Sequence, residues 1–433
     1  MIKILQPVKK EQVKEEEREA TFKRLQILSF LGIFVGYATF YIVRNNISLA
    51  TPTLESSLHI GKTEVGILSS CLLISYGISK GIMSNLADKA DPKRFMALGL
   101  LICSLLSMSL SLFSQSYLLM CFIVSLMGIF QGMGVGPSFI TLSNWFEKKN
   151  RGLVTAIWNS SHNIGGGLVS PLVALGITIV GAENWRIAYF VFPGIIASMI
   201  SILILFLIKG RPEDEGGAPL VEEQKNEETE VLSSKDIFVK YVLKNKGVWY
   251  ISFVDTFVYM IRFGIITWLP IFLLENKGFT KEQMLVAFCV FEWAAIPSTL
   301  FAGVISDKLF KGYRMPPAIL SLLLISVCLI GYWNSDNVLA VTIFAASAGC
   351  LIYVPQFLAS VHTMEVVPPI AIGSATGLRG FMSYIFGSTF GTCLMGVLVD
   401  HIGWGGALYA LLGAIIVCLV FCILSHRYIK TRE

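Results

Sequence analysis

The amino-acid sequence predicts an all-α membrane protein of twelve transmembrane helices, arranged as two six-helix bundles. Three observations carry that expectation. Hydrophobic residues make up 54% and charged residues 15% of the 433 positions, at a mean hydropathy of +0.68, whereas soluble domains are nearer a quarter charged. The apolar residues fall into repeated windows of about twenty, the length a helix needs to cross a bilayer. Features of the first half also return in the second at a near-constant offset, the mark of secondary transporters built from internal repeats.

The windows fall at 26–49, 63–84, 95–114, 117–142, 152–179, 187–208, 248–273, 283–306, 316–334, 338–361, 371–397 and 405–425. Each is expected to be helical, because lipid offers the backbone no partners outside a helix or a closed barrel. Residues 1–24 are strongly charged, with Glu15, Glu16, Glu17 and Glu19 close together, and read as a cytoplasmic N-terminal segment rather than a signal peptide. The first bundle then covers 25–208. Residues 209–247 form the one long hydrophilic stretch, with Pro212, Gly216, Gly217 and Pro219 before the acidic run Glu222–Glu230, and read as a cytoplasmic linker. Within it, 231–246 is expected to form an amphipathic surface helix. The second bundle covers 248–425, and 426–433 is a cytoplasmic tail.

Orientation follows from the basic residues. Lys89, Lys93 and Arg94, then Lys148, Lys149 and Arg151, then Lys308, Lys311 and Arg314, and finally Arg427, Lys430 and Arg432 all share one side with both termini. The opposite loops hold little beyond Lys62, Arg186, Lys277 and Lys281. Both termini are therefore expected to be cytoplasmic. The nine cysteines are scattered through apolar windows without a CxxC pair, which fits small buried hydrophobes better than a metal site or a disulfide framework.

The repeat centres on a charge that lipid penalises. Tyr41-x-x-Arg44 lies deep in the first span, and Tyr259-x-x-Arg262 recurs 218 residues later in the seventh. The stretch Gly81-x-x-Ser84-x-Leu86-Ala87-Asp88-Lys89 returns as Gly303-x-x-Ser306-Asp307-Lys308. An arginine near mid-bilayer costs several kcal/mol and is normally found facing a bundle interior or an aqueous path. Its planar fork suits bidentate capture of phosphate while staying charged. One arginine per bundle therefore suits a dianion. Lys80 in the second span either joins them or snorkels toward the cytoplasm. Trp158 and His162 are four apart on the fifth span and share a face; a titrating imidazole there could follow the charge state of phosphate. Gly165, Gly166 and Gly167 permit close helix approach.

Arg379, in the eleventh span, has no carboxylate between Glu365 and Asp400 in sequence. It meets a partner from another helix, Glu292 being one candidate, or it adds a third unpaired positive charge. The third charge would favour a ligand carrying a carboxylate as well as phosphate. Asp88 and Asp307, in tight loops after spans two and eight, read as conformational switches that pair with basic residues in one state and release in another. Gly132, Gly134 and Gly136 with Pro137 suit close packing or a flexible helix in the fourth span.

At these motifs the chain resembles the major facilitator superfamily and, within it, the organophosphate:phosphate antiporters. The motifs are Gly36-Tyr37 through Arg44-Asn45, Gly77-x-Ser79-Lys80, Trp158-Asn159-x-Ser161-His162-Asn163 and Tyr259-x-x-Arg262. The resemblance implies that Arg44 and Arg262 bind phosphate and that Tyr37, Tyr41, Tyr76, Lys80, Trp158 and His162 surround it. In hexose-phosphate members the eleventh span carries an Asp followed three residues on by Lys; here those positions are Thr376 and Arg379. The stretches Leu351–Ser360 and Gly377–Tyr384 are closer to the phosphoglycerate-transporting members. The resemblance thus implies exchange of inorganic phosphate for phosphoglycerate or phosphoenolpyruvate by alternating access in a bacterial inner membrane. Covalent chemistry, a cofactor, a metal and nucleic acid have no place in that expectation, and one chain suffices as the transport unit. Hexose-6-phosphate exchange and a transporter-like sensor of a phosphorylated metabolite are the alternatives.

Overall fold

The computed structural model describes residues 18–87, 90–113, 115–212, 215 and 234–431. Among these the regular elements are helical. α1 (Arg18–Leu58), α2 (Lys62–Ala87) and α3 (Pro92–Phe113) are single long helices. The fourth span is two helices, α4 (Tyr117–Gln131) and α5 (Val135–Trp145), and the fifth is α6 (Lys148–Asn159) and α7 (Ser161–Val180). A π-helical turn, Ile187–Val191, leads into α8 (Phe192–Leu207). The short α9 (Ser234–Ile237) precedes α10 (Lys246–Ile266), α11 (Leu269–Glu275), α12 (Lys281–Trp293), α13 (Ala295–Leu309), α14 (Met315–Asn334) and α15 (Val338–Val366). α16 (Ile372–Met382), two π-helical turns, α17 (Met395–Ile402) and α18 (Trp404–Lys430) complete the chain. Among the described residues, eleven spans are long and apolar enough to cross a membrane, and α12 with α13 supplies a twelfth, bent by 43°. Each overlaps one expected window. Large apolar side chains such as Leu112, Leu118 and Phe206 are exposed, as lipid contact requires.

Several boundaries differ from the sequence reading, for local reasons. The first span was expected to stop near residue 49, before Thr51-Pro52, yet α1 runs through Pro52 to Leu58. Proline lacks the N–H that would bond the Ser48 carbonyl. Thr51 Oγ1 donates to that carbonyl at 2.8 Å instead, so the turn is kept. The seventh span ends at Ile266 rather than 273, because the chain turns at Thr267 and Trp268 before α11. Within the expected 231–246 surface helix, α9 and a π-helical turn, Phe238–Leu243, are formed, while 231–233 and the acidic run Glu222–Glu230 lie outside the described residues. Of the cysteines, Cys103, Cys418 and Cys422 are buried and the other six half-buried, and none forms a disulfide.

The chain packs as two compact units, the described residues of Met1–Asn46 and Ile78–Thr229 in one and of Ile47–Gly77 and Glu230–Glu433 in the other. In the first unit α1 is the central helix. Ile33, Phe40 and Val43 pack with Met96, Leu100, Leu142 and Ile204 in one buried cluster. Asn46 donates to Ser107 Oγ at 2.9 Å and to the Tyr189 carbonyl at 3.0 Å, so a buried amide ties α1 to α3 and to the turn before α8. Glycines let backbones touch: a Cβ on Gly165 would sit 1.9 Å from the Ala38 carbonyl oxygen. The run Gly132–Gly134 is a turn between α4 and α5 as well as a contact, since a Cβ on Gly132 would meet Ser79 Oγ at 2.4 Å. In the second unit α10 is buried along most of its length, with Trp249, Tyr250, Phe253 and Phe257 on a half-buried face, and packs against α15, α16 and α18.

Candidate substrate site

In the first unit, helical spacing puts Tyr37, Tyr41 and Arg44 on one face of α1. Two residues either side of the α6–α7 break meet that face. Trp158 stacks on Tyr37 with ring centroids 4.6 Å apart, and His162 lies 5.2 Å from Tyr41. Tyr37 and Tyr41 are themselves edge-to-face at 5.5 Å, and Phe139 closes the outer side of Trp158. The Arg44 guanidinium carbon is 5.1 Å from the centre of the Tyr41 ring. The negative face of an aromatic ring attracts such a cation. The result is a ladder, Trp158–Tyr37–Tyr41, ending in His162 and Arg44, all of it buried. His162 Nδ1 bonds the Asn159 carbonyl, which orients the ring. Lys80 is half-buried on α2, its carbonyl accepting from Ser84 at 2.7 Å.

The second unit holds the other arginine in a different frame. Arg262 lies over two rings, 4.6 Å from the centroid of Tyr353 and 5.2 Å from that of Phe263. Its Nη1 donates to Gln356 Oε1 at 3.2 Å. A neutral acceptor orients the fork without cancelling its charge. Tyr353 reaches back through its hydroxyl to Glu292 Oε2 at 3.4 Å. Tyr384 is an aromatic hub, edge-to-face with Tyr76 at 4.9 Å and with Tyr259 at 5.0 Å. Tyr76 thus joins the second unit rather than the first.

Arg379 corrects the sequence reading. Its Nη1 donates to Asp255 Oδ2 at 3.0 Å, and Ser383 Oγ donates to the same oxygen at 2.7 Å. The pair is buried. Arg379 is therefore not a third unpaired charge, and its partner is Asp255 of α10 rather than Glu292. Asp255 lies two turns before Arg262 on the same helix, a spacing visible in the sequence. What the sequence did not show is that α16 packs there.

Asp307 was expected in a loop and sits in the last turn of α13. It pairs with Arg314, which also donates through Nε to Glu365 Oε1 at 2.8 Å and through Nη1 to Ser306 Oγ at 3.2 Å. Burial draws the Arg314 proton affinity down, but the bonds to Glu365 and Asp307 outweigh it and hold the group above its ordinary value. Asp88 lies outside the described residues. Sequence reasoning missed Tyr384, Tyr353 and Gln356 as site residues. Their only signal was membership of the family-like stretches around them, since nothing in their spacing marks them.

Comparison with known proteins bears on the family and the fold. The Major Facilitator Superfamily model matches residues 33–391. The phosphoglycerate transporter protein of Salmonella typhimurium is 55% identical over 96% of this chain and 92% of its own. The glycerol-3-phosphate transporter of Bacillus subtilis is 38% identical over the full length of both, and the hexose-6-phosphate:phosphate antiporter of Escherichia coli 31% over 97% and 95%. Among solved structures, a bacterial homolog of the human lysosomal transporter Spinster has the same fold, with a TM-score of 0.73 at 14% identity over 94% of this chain and 96% of that one. The chain belongs to the Major Facilitator Superfamily and, within it, to the organophosphate:phosphate antiporter family.

Proposed function

We propose that this chain is an antiporter of the bacterial inner membrane. It exchanges inorganic phosphate for a phosphorylated three-carbon acid, phosphoglycerate or phosphoenolpyruvate, by alternating access. The observation that carries the reading is the pair of buried arginines at repeated Tyr-x-x-Arg positions, each framed by aromatic rings. A buried guanidinium is costly alone, and a dianion that takes both forks offsets the cost in two places. Arg44 and Arg262 bind the phosphate. Tyr37, Tyr41, Tyr76, Tyr259, Trp158, His162 and Lys80 line its path and supply hydrogen bonds. Anion binding by these arginines favours the change of state, so the empty carrier switches slowly and exchange is favoured over net flow.

The three-carbon acid is supported by what the 55% identical relative is named for, and by Thr376 standing where hexose-phosphate members carry an acid. The charge of Arg379 no longer argues for it, because Asp255 neutralises it. Placement of basic residues supports cytoplasmic termini, and Asp307 with Arg314 serves as a cytoplasmic switch. No covalent step is needed, and one chain is the transport unit. The test is competition against radiolabelled phosphate exchange in proteoliposomes. Phosphoglycerate and phosphoenolpyruvate should inhibit at concentrations at least about tenfold below glucose-6-phosphate. Stronger inhibition by glucose-6-phosphate would move the substrate to the hexose phosphates, and phosphate binding without any exchange would favour a sensor.

A further inference from the structure

A polar cavity of the second unit is lined by neither Arg44 nor Arg262. Its walls are the turn between α13 and α14, the end of α15 and the end of α18. It encloses about 360 Å3, within the range of small-ligand sites. The walls are tied to one another. α13 closes on a turn through Lys311 at φ 53° and Gly312 at φ 85°, and the Gly312 N–H returns to the Ser306 carbonyl at 3.0 Å. Ser306 Oγ donates to the Tyr313 carbonyl at 3.1 Å. Tyr313 then stands edge-to-face with His426 of α18, ring centroids 5.2 Å apart. His362 of α15 reaches the same helix, its Nε2 lying 3.0 Å from Ser425 Oγ.

The lining is rich in donors, and the deepest of them lacks an acceptor. His362 is 3% exposed, and its Nδ1 is buried without a hydrogen-bond partner among the described residues. The tautomer in which Ser425 donates to Nε2 leaves that Nδ1 as a donor. Glu365 Oε2 stands 3.4 Å from it, while Oε1 accepts from Arg314 Nε at 2.8 Å. Arg314 uses Nε and Nη1 on Glu365, Ser306 and Asp307, and its Nη2 enters none of these bonds. Lys311 is exposed on the turn and lines the cavity. The wall segments 306–314, 362–366 and 425–430 carry five lysines and arginines against two carboxylates, Asp307 and Glu365. Arg314 engages both carboxylates, so an excess of positive charge surrounds the cavity. Leu309, two residues before Lys311, is an exposed apolar side chain, which sets the cavity near the depth of lipid headgroups.

We infer that this cavity binds the phosphate group of an anion, held by Arg314, Lys311, His362 and His426 and apart from the arginine pair of the transport reading. Tetrahedral phosphate oxygens accept from a guanidinium, an ammonium and imidazoles at once, each from its own direction. Two sources present that group at a membrane surface: an anionic phospholipid headgroup and free phosphate from solution. The site stands whether or not the carrier exchanges anions.

The experiment reads carbethoxylation of His426 by diethyl pyrocarbonate in the full chain, by mass spectrometry. His401, which precedes the start of α18 and lies outside the cavity, is the reference. The protein is held in nanodiscs of phosphatidylcholine, of phosphatidylcholine with about 30% phosphatidylglycerol, or of phosphatidylcholine with added inorganic phosphate, all at one ionic strength. Occupancy should slow His426 relative to His401 by about threefold, as a site filled at twice its dissociation constant requires. Slowing by phosphatidylglycerol assigns the site to a lipid headgroup, and slowing by inorganic phosphate assigns it to a free anion. Lys311→Asn removes the charge with a residue that accepts the left-handed turn, and should remove most of the protection. Equal His426 rates in all three preparations overturn the site, and this comparison needs no variant to fold. Protection shared by His401, or undiminished in folded Lys311→Asn, overturns it as well.

Discussion

Asp255 and Arg379 show how a single buried partner changes the meaning of a charge. Between them they bury a carboxylate and a guanidinium, with Ser383 as a further donor to the shared oxygen. Removing one member of such a pair leaves the other without compensation, at a cost of about 3–5 kcal/mol. Asp255→Asn should therefore lower the melting temperature of the purified protein markedly. Asp255→Asn combined with Arg379→Gln should recover most of the loss, because no charge is then stranded. A single variant as stable as the parent would show that Arg379 is compensated elsewhere. The two tyrosine–arginine units were legible in the sequence because lipid makes an arginine conspicuous wherever it occurs. The Asp255–Arg379 pair was not, because a contact between helices leaves no periodic trace in one chain. The aromatic frame was half-legible: Tyr37, Tyr41, Trp158 and His162 follow from helical spacing, whereas Tyr353 and Gln356 require knowing that α15 faces α10.

At the scale of the element, the spans were readable and their interruptions were not. Hydropathy sums over twenty residues and is blind to which carbonyl lacks a donor. Pro52 is the clearest instance, since the sequence places a helix end there and Thr51 removes the reason for one. Thr51→Val should expose that dependence. It leaves the Ser48 carbonyl without its bond and should cost about 1 kcal/mol, read as a lower melting temperature. Thr51→Ser should be nearly silent. The glycines act through space rather than conformation. Gly165→Val would push a side chain into the Ala38 carbonyl, separating α7 from α1 and pulling Trp158 and His162 off the tyrosine ladder. Phosphate exchange should fall with folding partly retained, by tenfold or more on the order of what a misplacement near 1 Å costs. The two π-helical turns flanking Thr389, Ser383–Gly387 and Phe390–Leu394, set Tyr384 and Thr392 at their places on the eleventh span. Short π-helical turns of this kind gather at functional sites.

For the molecule as a whole, the internal repeat was visible in the sequence, but equivalence of its two sites was not something it could establish. Arg44 rests against the tyrosine three residues before it, while Arg262 lies against Phe263 and Tyr353 and donates to Gln356. The repeat supplies two cations; later divergence gives each its own neighbours. If both serve one anion, phosphate should stabilise the folded protein by mass action, by roughly 2.7 kcal/mol at a hundred times its dissociation constant. A rise in melting temperature with phosphate, absent with sulfate-free chloride buffer of equal ionic strength, would report that binding.

The most direct test is radiolabelled phosphate self-exchange by proteoliposomes carrying Arg44→Lys or Arg262→Lys, with folding checked by thermal unfolding. Lysine keeps the charge and loses the fork. Each substitution should cut exchange by about a hundredfold or more, roughly the 2–5 kcal/mol of a lost charge-assisted contact. Exchange close to that of the parent in both variants would contradict the assignment of Arg44 and Arg262 as the phosphate-binding pair.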